Sequence, residues 1–201
     1  MCRVHPAVPC TAIVLAIVGA VRVQPASSWK IYPIDLAPAA LVPAIARADA
    51  VFKSLDTTVI AELSAEVHKH GFGGALDTCE QAAADVARRV AREQGFPIGR
   101  TSSRLRNQSN SPRPWAAPIV DQYAGKRAAA ASGFAVDLGN RIGLLRPITT
   151  VGVCVGCHGP SERLDANVRA ILKKRYPTDR AVGFAAGDLR GWMWAEIPKA
   201  R

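Results

Sequence analysis

The chain has 201 residues, enough for one domain and a short surplus at an end. Hydrophobic residues make up 49%, charged residues 21% and aromatic residues 6%, which excludes a disordered or coiled-coil chain. No uninterrupted apolar run reaches the roughly 18 residues of a conventional membrane span. The formal net charge is +10; the first fifty residues hold four basic and two acidic side chains, so +8 belongs to residues 51–201. Such a basic domain suits acidic proteins, anionic lipid heads, nucleic acid or a polyanionic cofactor, and charge alone does not select among them.

Residues 1–50 read as a leader. Arg3 precedes an apolar stretch at 7–21, and a second apolar stretch at 34–46 is broken by Pro38 and Pro43. Ala46-Arg47-Ala48 and Ala48-Asp49-Ala50 follow as small-x-small cleavage patterns, which places the expected cut near 48–50. Ala26 is the nearest candidate behind the first stretch. The expectation is therefore export, to the periplasm of a bacterium or beyond. The competing reading is a buried N-terminal helix, which the prolines between Pro25 and Pro43 disfavour.

From residue 51 the periodicity is regular. Phe52, Leu55, Val59, Leu63 and Val67 predict one face of a helix that Gly71 ends. Gly73-Gly74 form the turn, and Ala75, Cys79, Ala82, Val86 and Val90 predict a second helix over 75–93. A strand over 96–102 leads into a polar loop rich in Asn, Ser and Pro. A short alanine-rich helix is expected over 119–131. Two strands, 134–138 and 142–153, are expected to form a hairpin around Gly139-Asn140. Ser161 is the expected N-cap of a helix over 162–175, closed by Pro177. A second hairpin, 181–186 with 191–197, is expected around Gly187-Asp188. The order of elements predicts an α+β domain with an antiparallel sheet over 51–201.

The most informative segment is Cys154-Val155-Gly156-Cys157-His158. Two cysteines three apart, followed at once by histidine, match the c-type haem attachment motif. Each thiol adds to one vinyl group of the porphyrin, and the adjacent imidazole reaches the iron. A structural zinc site would want a second Cys-x-x-Cys or a His pair, and the chain has neither. A redox dithiol would want a βαβ context that is missing. Without the leader three cysteines remain, Cys79, Cys154 and Cys157, an odd number for an oxidising compartment.

Several ordered motifs together resemble the PAS-like haem c domain family. These are Gly99-Arg100-Thr101-Ser102, Arg106-Asn107 with Asn110 and Pro112, Cys154 to Pro160, Tyr176-Pro177-x-Asp179-x-Ala181-x-Gly183, and Gly187-Asp188-x-Arg190-Gly191. Gln108 stands where the family has proline, and Trp192-Met193-Trp194 is bulkier than its pattern. The resemblance implies a PAS-like antiparallel sheet flanked by helices, one covalent haem c, and a cysteine as the second iron ligand, which falls on Cys79.

Without the resemblance, the residue opposite His158 is left open between Met193 and Cys79. His68 and His70 flank Lys69 at a helix end, a solvated position. An anionic thiolate stabilises ferric over ferrous iron, so a His/Cys site is expected to have a low potential and to release sulfur on reduction. Arg100, Arg106 and Arg190 are candidates for the two haem propionates, against a role as ordinary surface or turn anchors. Two functions follow as expectations: a redox or gas sensor read by a signalling partner, or an electron carrier that docks an acidic redox partner. Enzymatic turnover has no base–nucleophile pair to support it, and export argues against nucleic acid.

Overall fold

The computed structural model describes residues 29–199, except for the side chains of residues 77–83. Five strands form one antiparallel sheet: β1 (Lys30–Pro33), β2 (Ile98–Thr101), β3 (Phe134–Asp137), β4 (Arg141–Thr149) and β5 (Leu189–Pro198). Their spatial order is β1-β3-β4-β5-β2. The β3–β4 hairpin turns at Gly139, whose φ of 87° is the left-handed conformation that such a tight turn requires. Strand β5 then pairs along the whole of β4 and carries β2 on its outer edge. With helices flanking this sheet, the chain is a single α+β domain of PAS-like fold, as the resemblance implies.

Alternation along the strands divides the side chains between two faces. Ala135, Ile142, Leu144, Met193, Ala195 and Ile197 meet Leu41, Ile45, Phe52 and Leu55 on one face. Phe134, Val136, Leu145 and Trp192 meet Trp115, Ile119 and Val120 on the other. Trp192 is 1% exposed and Tyr123 meets its ring edge-on, with centroids 5.7 Å apart.

Helix α1 (Val42–Gln94) is two helical arms joined at Gly71, where φ 67° and ψ 179° break the helix at the predicted place. The arms fold back on each other, since Arg47 Nη2 donates to the carbonyl of Gln94 at 2.5 Å and its guanidinium lies over Phe96. No helix among the described residues is long and apolar enough to cross a membrane.

The fold includes residues that the sequence assigns to the expected leader. Residues 30–50, expected to be leader, form β1 and the first turns of α1. Leu41, Ile45 and Ala48 recur at helical spacing and are 7%, 7% and 1% exposed in the main core. Asp49 accepts both Nε and Nη2 of Arg146 from β4, at 2.7 and 2.6 Å. A cut at 48–50 would remove all of this. The prolines that argued against a helix instead stand at starts: Pro33 and Pro38 precede short 3-10 turns, and Pro43 lies in the first turn of α1, where no N–H is needed. The 7–21 stretch and Ala26 lie outside the described residues.

Three smaller expectations also change. The 119–131 helix shortens to α2 (Ala117–Gln122), because the chain turns at Gly125 and Ala128 N–H donates to the carbonyl of Gly187. The helix after the cysteine motif is α4 (Ala166–Arg175), capped by Asp165 rather than Ser161; the Asp165 carboxylate accepts Asn167 N–H at 2.8 Å. Leu164, extended and buried, interrupts the run between the two. Residues 181–186 are not a strand. Their donors leave the sheet for the motif: Gly183 N–H reaches the Gly159 carbonyl at 2.7 Å, and Phe184 N–H reaches that of His158 at 2.9 Å.

Candidate functional site

The Cys-x-x-Cys-His segment lies in one short helix, α3 (Gly152–His158), directly after β4. Cys154 and Cys157, three residues apart, share one side of it and are both half-buried. At Gly156 the start of the second arm of α1 comes so close that a Cβ would collide with the Phe72 ring. Glycine is therefore a steric requirement at this position. Cys157 packs on a small apolar cluster of Leu76, Leu164, Val168 and Leu172, which ties α3 to α1 and α4.

His158 has a defined tautomer. Its Nδ1 lies 2.6 Å from the carbonyl oxygen of Ala181. A carbonyl only accepts, so Nδ1 carries the proton and donates. The lone pair is then on Nε2, the nitrogen that a metal would take. Phe184 meets the imidazole edge-on, with centroids 6.4 Å apart. Burial, followed by the positive charges of Arg190, Arg106 and Arg100, holds the imidazole well below its ordinary pKa, so it is neutral at pH 7.

The three arginines named from the sequence occupy different positions. Arg106 is committed to the protein: Nε donates to Asp179 Oδ2 at 3.0 Å, and Nη2 donates to the carbonyls of Cys157 at 2.6 Å and Ala181 at 3.4 Å. These contacts are those of a turn anchor. Arg100, in β2, is half-buried and near enough to bear on His158, and its side chain has no hydrogen-bond or ion-pair partner among the described residues. Its register places it beside Met193 on the sheet face that α1 covers. Arg190 lies over the Phe184 ring at 5.2 Å.

Of the candidates for a residue opposite His158, Met193 is 8% exposed within the main core. His68 and His70 are exposed at the end of the first arm. Cys79 lies in the second arm of α1. Its side chain is outside the described residues. Among the described residues no three His, Cys, Asp or Glu side chains come together as a metal cluster. Chemically, the site offers two thiols and one imidazole with a fixed lone pair on a single helix.

Sequence reasoning missed Asp179 and the Ala181 carbonyl as parts of this site. Asp179 Oδ1 accepts Ala181 N–H at 2.7 Å, so one carboxylate binds both Arg106 and the segment that orients His158. The signal was present in the ordered Asp-x-Ala-x-Gly motif, which specified the residues without their contacts.

No curated protein matches this chain. Among solved structures, the cyanobacterial haem protein Tll0287 is similar in fold, with a TM-score of 0.60 and 24% identity over 79% of this chain and 97% of that one. The family model described as Tll0287-like matches residues 12–198, a span that includes β1 and every motif discussed above. The match agrees with the family resemblance read from the ordered motifs: the chain belongs to the Tll0287-like family.

Proposed function

We propose that the chain is an exported mono-haem c-type protein that senses redox state or a small gas. The observation that supports this most is the Nδ1–H of His158 donated to Ala181, which leaves Nε2 available to iron. The donor set fits the group. Cys154 and Cys157 would carry the thioethers, His158 would be the proximal ligand, Cys79 the distal one, and Arg100 the cation for a propionate. Bound haem would supply one-electron redox chemistry and an iron site for small ligands. The residues around it would do the rest: Ala181 fixes the imidazole, Phe184 packs edge-on against it, and the nearby arginines favour anionic groups. The similarity to a structure titled a haem protein supports the same reading.

Electron transfer is the second reading. It is favoured by the exposed Lys173, Lys174 and Arg175 at the end of α4, a short way along the chain from the motif, where they would suit an acidic redox partner. We further propose that the leader is cut upstream of residue 29, near Ala26, since 30–50 belong to the fold. Sequencing the N-terminus of exported protein tests that point.

The deciding experiment matures the chain with a haem c assembly system. Haem that stays on the chain through denaturing electrophoresis, and is lost in Cys154→Ala/Cys157→Ala, supports covalent attachment; a haem-free chain overturns the reading. Electron paramagnetic resonance of the ferric protein then compares wild type with Cys79→Ala. A low-spin thiolate signal that vanishes in the variant supports His/Cys ligation, and an unchanged signal excludes Cys79. Carbon monoxide uptake by the reduced protein separates sensor from carrier: a reduced form that refuses the gas rules out the switch.

A further inference from the structure

We infer that Asp179 and Arg106 are a positioning pair that sets the tautomer and ring orientation of His158, and so the direction in which Nε2 faces. The inference deepens the haem reading and rests on it for the consequence at iron, but its geometry does not require haem.

Four contacts make a closed loop. Asp179 Oδ1 accepts Ala181 N–H at 2.7 Å, and the carbonyl of the same Ala181 accepts His158 Nδ1–H at 2.6 Å. Asp179 Oδ2 accepts Arg106 Nε at 3.0 Å, and Arg106 Nη2 returns to the carbonyl of Cys157, the residue before His158, at 2.6 Å. The carboxylate thus holds the segment that carries the acceptor, while the guanidinium holds the helix end that carries the donor. Both side chains are well shielded, 9% exposed for Asp179 and 12% for Arg106, so water is a poor substitute for either partner. Gly183 and Phe184 N–H extend the same strip of backbone along His158 and Gly159, which leaves the loop little slack.

The closed loop joins three segments that are distant in sequence: the polar loop after β2, the end of α3 and the stretch before β5. Arg106 also approaches the Ala181 carbonyl, at 3.4 Å. Its charge there draws density from the oxygen that His158 donates to, which keeps the imidazole neutral rather than imidazolate-like and weakens it as a donor to a metal.

The test uses the full chain with Asp179→Ala, Asp179→Asn and Arg106→Lys. Nitrogen-15 NMR of the histidine rings, in haem-free protein at about pH 8, where a histidine of ordinary pKa is neutral, reads the tautomer of His158 directly. His158→Gln identifies the resonance. Wild type is expected to be mainly Nδ1–H. Asp179→Ala is expected to lower the ratio of Nδ1–H to Nε2–H by about tenfold. Asp179→Asn keeps an oxygen for Ala181 N–H and should change the ratio less, and it carries the test if the alanine variant fails to fold. Arg106→Lys keeps the charge but loses the fork, and should fall between them. Variants that fold as wild type does and keep its tautomer ratio overturn the pairing, whether or not the protein takes up haem. In haem-loaded protein the iron–histidine stretch of the reduced form should shift in the same order. If wild type takes no haem but the tautomer responds, the positioning stands and the haem reading fails.

Discussion

The sheet and the motif segment are held together by different forces. The sheet buries Trp192, Leu144, Leu145 and Val136 almost completely, with Val120 of α2 packed against it, and its cohesion is mainly apolar area removed from water. Helix α3, by contrast, is only partly buried, with Cys157 as its one side chain on an apolar cluster among the described residues. Its position comes from directional contacts: Arg106 on Cys157, Ala181 on His158, and the backbone of 183–184 on 158–159. A hydrophobic core tolerates reshaping if volume is kept, whereas a hydrogen-bonded loop has few acceptable geometries. A site that must aim one ring nitrogen needs the second kind of cohesion, and the first supplies the platform beneath it.

The largest expected effect falls on the platform. Trp192→Ala removes a ring that packs against Tyr123 and Phe134 and leaves a cavity between the sheet and α2. The cost should be about 3–5 kcal/mol, read by urea denaturation, with Tm lower by roughly 10 °C. Loss of less than about 1 kcal/mol would mean that apolar burial does not carry the sheet. The next effect is the one steric requirement of the motif. Gly156→Ala gains up to about 1 kcal/mol of helix propensity but drives its Cβ into Phe72, which should cost about 1–3 kcal/mol. The collision should win. Combining it with Phe72→Leu should recover part of the loss, and additive effects in the double variant would show that the two do not meet.

The platform was largely legible in the sequence, because period and punctuation write it directly. Gly71 breaks α1 and Gly139 turns the hairpin, each at a positive φ. The start of the domain was not legible. Leu41, Ile45 and Ala48 lie in an apolar stretch that reads equally as a secretory h-region, and only packing tells a core helix from one. The same ambiguity hid the 181–186 segment, since apolar and small residues between glycines look like a strand until the direction of their N–H groups is known. Of the site, the Cys-x-x-Cys-His spacing is local and visible. The engagement of Arg106 with residues 51 to 75 positions away is not, because side-chain partners at that distance leave no periodic trace.

The smallest expected effect lies where the two regions meet. Asp188 stands at the entrance to β5; its carboxylate accepts Ala185 N–H, from the segment that runs past His158, and Nη1 of Arg127, each at 2.8 Å. The Ala185 N–H first, then Arg127, hold its carboxyl below the ordinary aspartate value of 3.8. Between that lowered value and 3.8 the unfolded chain binds the extra proton, so stability rises with pH there. The contribution is complete above about pH 4 and is lost as pH falls through the lowered value. Asp137 behaves in the same direction through Lys199 and Gly139 N–H, and it lies at the end of β3, where neither partner belongs to the segment that runs past His158. Asp188→Asn should therefore flatten the acid limb of the stability curve by a small amount while leaving stability at pH 7 within about 1 kcal/mol of wild type. Asp137→Asn should do the same without affecting the segment around His158. If hydrogen exchange at Phe184 N–H, which binds the His158 carbonyl, speeds up in Asp188→Asn and not in Asp137→Asn, the motif is anchored through this joint. Equal exchange in the two variants would make the motif independent of this joint, held by its other contacts, those of Asp179 and Arg106 among them.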